Sequence, residues 1–311
     1  MTSKSGTNNN IYDVAIVGGG PAGLTAALWL GRYLHSVVLI DSGDPRNWET
    51  RGINGFLGSQ GIRSPDLRAK GRADAERFGV ELVDDEVCKV KNTNSEHFVL
   101  ELNKGKTIEA NRLLLSIGIK DIWPDIPGLS ECYGETAHVC PDCDGYESRG
   151  RKIVVVGSGR KSVGMALALT TWTEKIVICT NGEPANIEQK YLDKLEALNI
   201  PVLEAKVNYI SSSEGEIKCI NLDGGMALDC DRLYFAIGQY PADDLGAQLK
   251  CDRDEFGLIK IDEAYHTSVK NVFAAGDIVG GAQLAVAAAS DGAIAAIAIH
   301  SSLVPDSRKL D

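Results

Sequence analysis

The sequence predicts an α/β chain of two Rossmann-like, three-layer (ββα) nucleotide-binding domains, the second inserted in the first. Three observations carry that expectation: a glycine-rich pattern between an apolar strand and a helix near the start, its recurrence 139 residues later, and a further apolar strand with a Gly-Asp stop near the end. Strands alternating with helical patterns imply parallel sheets covered by helices. A length of 311 residues suffices for roughly two domains with a core each.

The first copy reads YDVAIVGGGPAGLTAALWLGRYLHSVVLIDSG. It is G-x-G-x-x-G in the setting that gives the motif meaning: buried strand, tight turn, helix, second strand, and an acid about 20 residues on. Gly18 permits the turn, Gly20 lets a pyrophosphate approach the backbone, and Gly23 allows close helix packing. Asp41 is placed to accept hydrogen bonds from a ribose diol. Pro21 and Ala22 open the helix. RLLLSIGIKDIWPDIPG then supplies an apolar strand ending at Gly118, with Pro124 and Pro127 suited to a crossing between domains.

The second copy, RKIVVVGSGRKSVGMALALTTWTEKIVICTNG, has Gly157 for Gly18, Gly159 for Gly20, Ser162 for Gly23 and Thr180 for Asp41. The fold repeats but the ligand chemistry does not. The acid expected for an NAD ribose is absent, and no basic cluster follows to hold an NADP phosphate. Arg160 and Lys161 replace the Pro and Ala of the first copy. Cations at a helix N-terminus face the positive end of its dipole, an unfavourable ~0.3 to 1 kcal/mol each that an anion would reverse. Two readings stay open, a phosphate-bearing ligand and two solvated side chains.

An amphipathic helix is expected over 187–198, with its Glu and Lys on the solvated face. FAIGQYPADD near Gly238 marks the return crossing. TSVKNVFAAGDIVGGAQLAVAAASDGAIAAIAI gives a strand stopping at Gly276-Asp277 and an Ala-rich helix starting near Gln283 and Leu284. A carboxylate at the end of a buried strand suits the hydroxyls of a sugar-alcohol chain, and the helix start favours negative charge on a ligand. The expected domains are thus 11–118 with 245–311, an insert over 119–244, and a disordered polar tail over 1–10.

Ahead of the second copy stands HVCPDCDGYE, with Cys140 and Cys143 two residues apart. Redox and metal sites both use C-x-x-C, and the spacing alone does not separate them. Cys132 and His138 extend the pattern to four potential zinc ligands, C-x5-H-x-C-x2-C. Inert burial is the third reading, against which Pro141, Asp142 and Asp144 make the loop polar. Cys88, Cys179 and Cys219 fall in strand-like runs where Cys behaves as a small hydrophobe, while Cys132, Cys230 and Cys251 have no evident partner. Trp48, Trp123 and Trp172 read as packing residues.

Composition narrows the function classes. The chain has 32 Lys and Arg against 43 Asp and Glu, a net charge of -11 that repels a phosphate backbone and excludes nucleic acid as a partner. The longest apolar stretch, Leu284 to Ile299, reads as too short and too weakly apolar to span a bilayer. The polar opening MTSKSGTNNN lacks an apolar signal region, so a cytoplasmic location with mostly reduced thiols is expected.

The motifs VGGGPAG, SIG, CPDCDG, GSGRKS and VFAAGD stand in the order found in low-molecular-weight thioredoxin reductases, and the chain resembles that family over nearly its whole length. The resemblance implies a two-domain, generally homodimeric, FAD-dependent disulfide oxidoreductase with its C-x-x-C in the inserted domain. It implies that Cys143 faces the flavin, Cys140 attacks a partner's disulfide, and Asp144 protonates the leaving thiolate. Asn54 falls where the family has a flavin-contacting Asn. With the glycine turn, Asp41, Gly118, Gly276, Asp277, Gln283 and Leu284, the candidate cofactor contacts also include Ser42 and Val87. The implied partner is a thioredoxin-like protein or a small disulfide.

GINGFLGSQGIRSPDL resembles a branch that includes gliotoxin-type dithiol oxidases, which makes an oxidase passing electrons to oxygen the alternative. A flavin-binding redox sensor is the alternative without turnover. The family's second site reads G-G-G-D/N-S/T-A followed by H-R-R-x-x-x-R, whereas this chain has GSGRKS and then CTNGEPANIEQ. Relatives without those arginines include enzymes independent of pyridine nucleotide, which take electrons from ferredoxin or carry a second flavin. The expectation is therefore FAD in the first fold and a second FAD or other phosphate-bearing ligand in the second. Ferredoxin is a candidate donor, no metal is involved, and conventional NADPH use is disfavoured, with an ordinary NAD(P)H-dependent reductase as the remaining alternative.

Overall fold

The computed structural model describes residues 11–46, 49–93 and 97–309; the expected tail over 1–10 and Trp48 lie outside the described residues. The chain divides into two compact units, Met1–Arg46 with Pro65–Lys120 and Tyr240–Asp311, and Asn47–Ser64 with Asp121–Gln239. Residues 49–64, counted in the sequence with the first domain, thus cluster with the second unit.

The first unit opens with β1 (Tyr12–Val17), α1 (Pro21–Arg32) and β2 (Val37–Asp41), the strand-turn-helix-strand order of the first glycine motif. α2 (Ser64–Arg77), β3 (Glu81–Asp84), β4 (Val87–Thr93), β5 (His97–Leu102) and β6 (Thr107–Leu115) follow. β3, β2, β1 and β6 lie side by side in parallel. The first half of β6 pairs antiparallel with β5, and β5 with β4. Burial follows the pairing. β2 is buried along its length, as a parallel strand covered on both faces must be, while β5 alternates in and out.

β7 (Ile119–Ile122) leads out of this unit. The second unit holds β8 (Ala137–His138), α3 (Pro141–Asp144), β9 (Ile153–Val156), α4 (Gly159–Leu169), β10 (Ile176–Cys179), α5 (Gln189–Ala197) and β11 (Val202–Leu203). A meander of β12 (Val207–Ser213), β13 (Glu216–Leu222) and β14 (Ala227–Asp229) precedes β15 (Arg232–Phe235). Its parallel sheet runs β11-β10-β9-β15-β8, with the meander as a separate antiparallel sheet. β16 (Gly238–Pro241) pairs with β7 and carries the chain back to α6 (Leu245–Gln248), β17 (Val272–Ala274) and α7 (Ala285–Leu303). β17 lies parallel to the second half of β6.

The internal repeat extends into the cores. In β1, Val14 and Ile16 pack with α1 and α7 residues while Ala15 and Val17 face the other layer. At an offset of 139, Ile153 and Val155 pack with α4 and α5 residues, and Val154 and Val156 face the meander. Period-2 alternation in a parallel strand places one residue set against each covering layer. Both units are therefore three-layer ββα folds, as the sequence predicts.

α7 departs from expectation. It is 19 residues long, and by length and composition it is long and apolar enough to cross a membrane, contrary to the sequence reading of Leu284 to Ile299. The helix runs on through Ser301 and Leu303, and Asp291 does not interrupt it because its carboxylate accepts the Tyr265 hydroxyl at 2.5 Å. Its Ala288, Gly292, Ala295, Ala296 and Ile299 are buried in the helical layer of the first unit. A Cβ at Gly292 would collide with the Ala22 carbonyl, so α1 and α7 meet backbone to backbone.

Candidate active site

The C-x-x-C segment is built on the edge strand of the second unit's sheet. β8 pairs with β15 in the register Ala137 to Leu233 and His138 to Tyr234, and two residues after His138 the chain turns at Cys140. Cys140 is extended (φ -127°) and caps the single helical turn α3, with Pro141 at its first position and its sulfur accepting the Cys143 N–H at 3.2 Å. The two cysteines are joined as a disulfide with Cα atoms 5.4 Å apart. Gly145 ends the turn under the Trp172 ring, which a Cβ there would strike. From the loop over 49–64, the Asn54 amide donates to the Cys143 carbonyl at 3.0 Å, and Gln60 fixes that amide by donating to its oxygen at 2.9 Å. Asn54, a candidate flavin contact, thus also holds the redox turn.

Asp144 closes α3 with its side chain 21% exposed. Burial first, and the neighbouring Glu147 charge second, push its carboxyl up to about 7. His138 is buried and stands with Nδ1 3.5 Å from the Asp144 carboxylate. Burial, helped by the Arg232 charge, lowers its imidazole to about 3, so this is a contact of a neutral ring and not an ion pair. The Ser148 hydroxyl donates to the Asp144 carbonyl at 3.0 Å and lies 2.8 Å from the Tyr234 hydroxyl, whose ionisation burial also disfavours.

The remaining cysteines sit apart from this chemistry. Cys132, Cys179 and Cys230 belong to one apolar core of the second unit, and burial pushes the Cys230 thiol up to about 12. Cys251 is buried in the first unit, and Cys88 is exposed on β4. Among the described residues no group of three or more His, Cys, Asp and Glu is placed to hold a metal.

In the first unit the glycine turn has the form of a dinucleotide cradle. Gly18 (φ +105°) lies against the Ser116 carbonyl and Gly23 against the Gly18 carbonyl, where any Cβ would collide. A Cβ at Gly20 would meet nothing within 4 Å, which leaves open space above the start of α1. The residues present fit a dinucleotide such as FAD. Pro21 and Ala22 form the first helical turn, and Gly276 (φ +81°) brings the Asp277 turn against Ala22. Asp41 is buried at the end of β2, with Ser42 exposed after it. Val87 is buried at the start of β4, Gly118 takes a left-handed turn (φ +70°), and Leu284 caps α7 after Gln283.

Sequence reasoning missed the arginines at these positions. Arg68 and Arg72 from α2 both pair with Asp41. Arg46 reaches Asp277 at 3.2 Å and the Gln283 amide oxygen at 3.0 Å. The only signal was the Arg of the DPRN segment after the acid, and its partners lie more than 200 residues on.

In the second unit Gly157 (φ +150°) approaches the Ala236 carbonyl, and the Ser162 hydroxyl donates to the Gly159 carbonyl at 2.9 Å. Thr180 is buried and its hydroxyl donates to the Glu183 carbonyl. Gly159 N–H donates to the Ala185 carbonyl at 2.7 Å, so the loop after β10 covers part of the glycine turn. Arg160 and Lys161 are exposed; the Arg160 guanidinium lies 6.0 Å from the centre of the Tyr191 ring, and Lys161 donates to the Ile237 carbonyl at 3.4 Å. With Val139, Pro141, Phe235 and Gln239 they line a cleft of about 320 Å³ that reaches the redox turn.

Comparison with known proteins agrees with this geometry. The profile of the pyridine nucleotide-disulphide oxidoreductases matches residues 12–292. The thioredoxin reductase of Helicobacter pylori is 31% identical over 312 residues, covering 94% of this chain and 99% of that protein. The crystal structure of a putative thioredoxin reductase, TrxB, from Bacillus anthracis superposes with a TM-score of 0.87 at 28% identity, over 94% of this chain and 98% of that one. The crystal structure of HlmI does so with a TM-score of 0.88 at 30% identity, over 97% and 94%. With likeness running end to end and a C-x-x-C disulfide between two glycine turns, the chain belongs to the low-molecular-weight thioredoxin reductases of the pyridine nucleotide-disulphide oxidoreductase family and is a flavin-dependent disulfide oxidoreductase.

Proposed function

We propose that the protein reduces a protein disulfide of the thioredoxin type through Cys140 and Cys143, with Asp144 as the acid, and that its electrons do not come from NADPH bound in the usual way. The observation that carries the chemistry is the redox turn: a Cys140–Cys143 disulfide, a backbone N–H on the Cys140 sulfur, and the partly buried, raised carboxyl of the next residue, Asp144. Reduced FAD, which the first glycine turn, Asp41 and Asp277 would hold, would supply the electron pair needed to open the disulfide. Cys143 receives that pair and Cys140 leaves as a thiolate, which the Cys143 N–H stabilises by a hydrogen bond to its charged form.

The Cys140 thiolate then attacks one sulfur of the substrate disulfide. The substrate S–S bond breaks, its other sulfur departs with the bonding pair, and the Asp144 carboxyl gives that sulfur its proton. Cys143, as a thiolate, closes the cycle by attacking the Cys140 sulfur, which restores the enzyme disulfide and releases the second substrate sulfur as a thiolate that takes its proton from water. A carboxyl that titrates near 7 still holds protons at working pH, as an ordinary carboxylate would not.

What supports an unusual donor is the second unit. Thr180 replaces the ribose acid and is itself buried, the loop after β10 lies on Gly159, and Arg160 and Lys161 stand at the start of α4. Ferredoxin, or a second flavin or other phosphate-bearing ligand in this fold, is the reading these residues favour. The family profile, named for pyridine nucleotides, favours the second reading, an ordinary NAD(P)H-dependent reductase. A homodimer belongs to the proposal on the strength of the resemblance.

The test is to release and count the flavins of the purified protein and to follow its visible absorbance under anaerobic NADPH and NADH. Two flavins per chain, or one flavin that neither nucleotide bleaches, are expected. Rapid bleaching by NADPH overturns the donor proposal and leaves the dithiol chemistry standing.

A further inference from the structure

We propose that His138 is a positioning residue for Asp144, its Nδ1–H holding the carboxyl in place and stabilising it once its proton has gone to the leaving thiolate. The inference rests on the reading of Asp144 as the acid of disulfide exchange.

The strand that carries the redox turn also carries this histidine. On β8, Ala137 points into the core shared with the meander, and the alternation of a strand sends His138 to the opposite side, where it meets the Tyr234 ring with centroids 5.4 Å apart. The turn of α3 returns the chain so that Asp144, six residues on, faces it at 3.5 Å. Tyr234 is fully buried and fixed through Ser148, which in turn holds the Asp144 carbonyl. The main chain and the side chain of Asp144 are therefore both set by the β8–β15 edge.

The other groups acting on this cluster narrow what the imidazole can do. Glu147, three residues along the chain, opposes ionisation of Asp144; the Tyr234 hydroxyl comes from β15; and Arg232, from the same strand, acts on His138 and Tyr234. A ring that stays neutral to about pH 3 cannot store the proton of the reaction. It can donate a hydrogen bond, and a donor to a carboxylate stabilises the charged form. The 3.5 Å separation needs to close by about 0.5 Å to reach ordinary N–H···O length.

In the exchange step the thiolate sulfur of Cys140 is oxidised as it bonds to one substrate sulfur, and the other substrate sulfur is reduced and takes the Asp144 proton. His138 gains and loses no proton. It acts on the carboxylate this step leaves behind, and so on the pH at which Asp144 is refilled.

The experiment uses the flavin-loaded protein, reduced with dithionite and mixed anaerobically with bis(2-hydroxyethyl) disulfide, whose leaving alkyl thiolate needs a proton, across pH 5 to 9, with the return of flavin absorbance as the readout. The wild-type rate should fall along a limb set by Asp144, and D144N should lose that limb. H138F removes the donor and should move the limb up by about one pH unit, because a hydrogen bond to a charged group is worth about that much. H138Q, which keeps an amide donor, should restore it. If D144N keeps the limb, the reading of Asp144 fails; if D144N loses it and H138F leaves it in place, the inference about His138 fails. Should H138F not hold flavin, nitrogen-15 resonances of wild-type His138 decide: a proton on Nδ1 supports the proposal, and one on Nε2 overturns it.

Discussion

Asp144 shows how much of a residue's chemistry comes from its surroundings. Its carboxyl titrates near 7 instead of 3.8 because the folded chain takes it out of water beside Glu147. A raised carboxyl binds its proton more tightly in the folded state, so its contribution to stability is fully present below about pH 4 and is lost as pH rises through 7. D144N removes that loss. In urea titrations of the oxidised protein, D144N should be more stable than wild type at pH 8 by on the order of 3 kcal/mol, with the gap closing at pH 4.5. A gap equal at both pH values would mean that the carboxyl titrates in the ordinary range. The cysteines were legible in the sequence because residue type and spacing bear their chemistry. The environment of Asp144 was not, since Tyr234, which bonds to the Ser148 hydroxyl on the Asp144 carbonyl, and His138 are brought together by a sheet pairing that no local pattern encodes.

At the scale of elements, two helical glycines make opposite predictions. Gly292 of α7 lies where a Cβ would strike the Ala22 carbonyl, at the first turn of α1. G292A must push the two helices apart, an overpacking cost of about 1 to 3 kcal/mol, and should weaken FAD retention, because the turn it displaces begins at Gly20. Gly164 of α4 is exposed and a Cβ there meets nothing within 4 Å. G164A should therefore stabilise by about 0.5 to 1 kcal/mol, the helix preference for Ala over Gly. Thermal melts with flavin fluorescence read both; a stable, flavin-replete G292A would mean that the helices can part freely. The elements themselves were legible: α5 spans Gln189–Ala197 where the amphipathic pattern gave 187–198, and both glycine turns stand between their expected strand and helix. The length of α7 was misread because Asp291 and Gly292 look like a break in a row of alanines. In the fold, Tyr265 accounts for the first and Ala22 requires the second.

Across the whole molecule, one core pattern is used twice at an offset of 139 residues while the strand ends differ, and the difference was legible in part. The missing acid at Thr180 and the cations at 160 and 161 could be read directly. The arginines that meet Asp41 and Asp277 in the first unit, and the loop that settles on Gly159 in the second, arise only when distant segments are brought together. Arg160 and Lys161 then offer a test of the second fold that is separate from the first. If they serve a phosphate-bearing ligand, inorganic pyrophosphate should bind the native protein and raise its melting temperature. At ten times its dissociation constant the gain is about 1.4 kcal/mol, or about 2 °C for a protein of this size. R160A/K161A should lose that response and keep the flavin of the first unit, since neither residue belongs to it. A wild-type protein indifferent to pyrophosphate would make the two cations solvated side chains. The proposal that this fold does not bind NADPH in the usual way would then rest on Thr180 and the covered glycine turn alone.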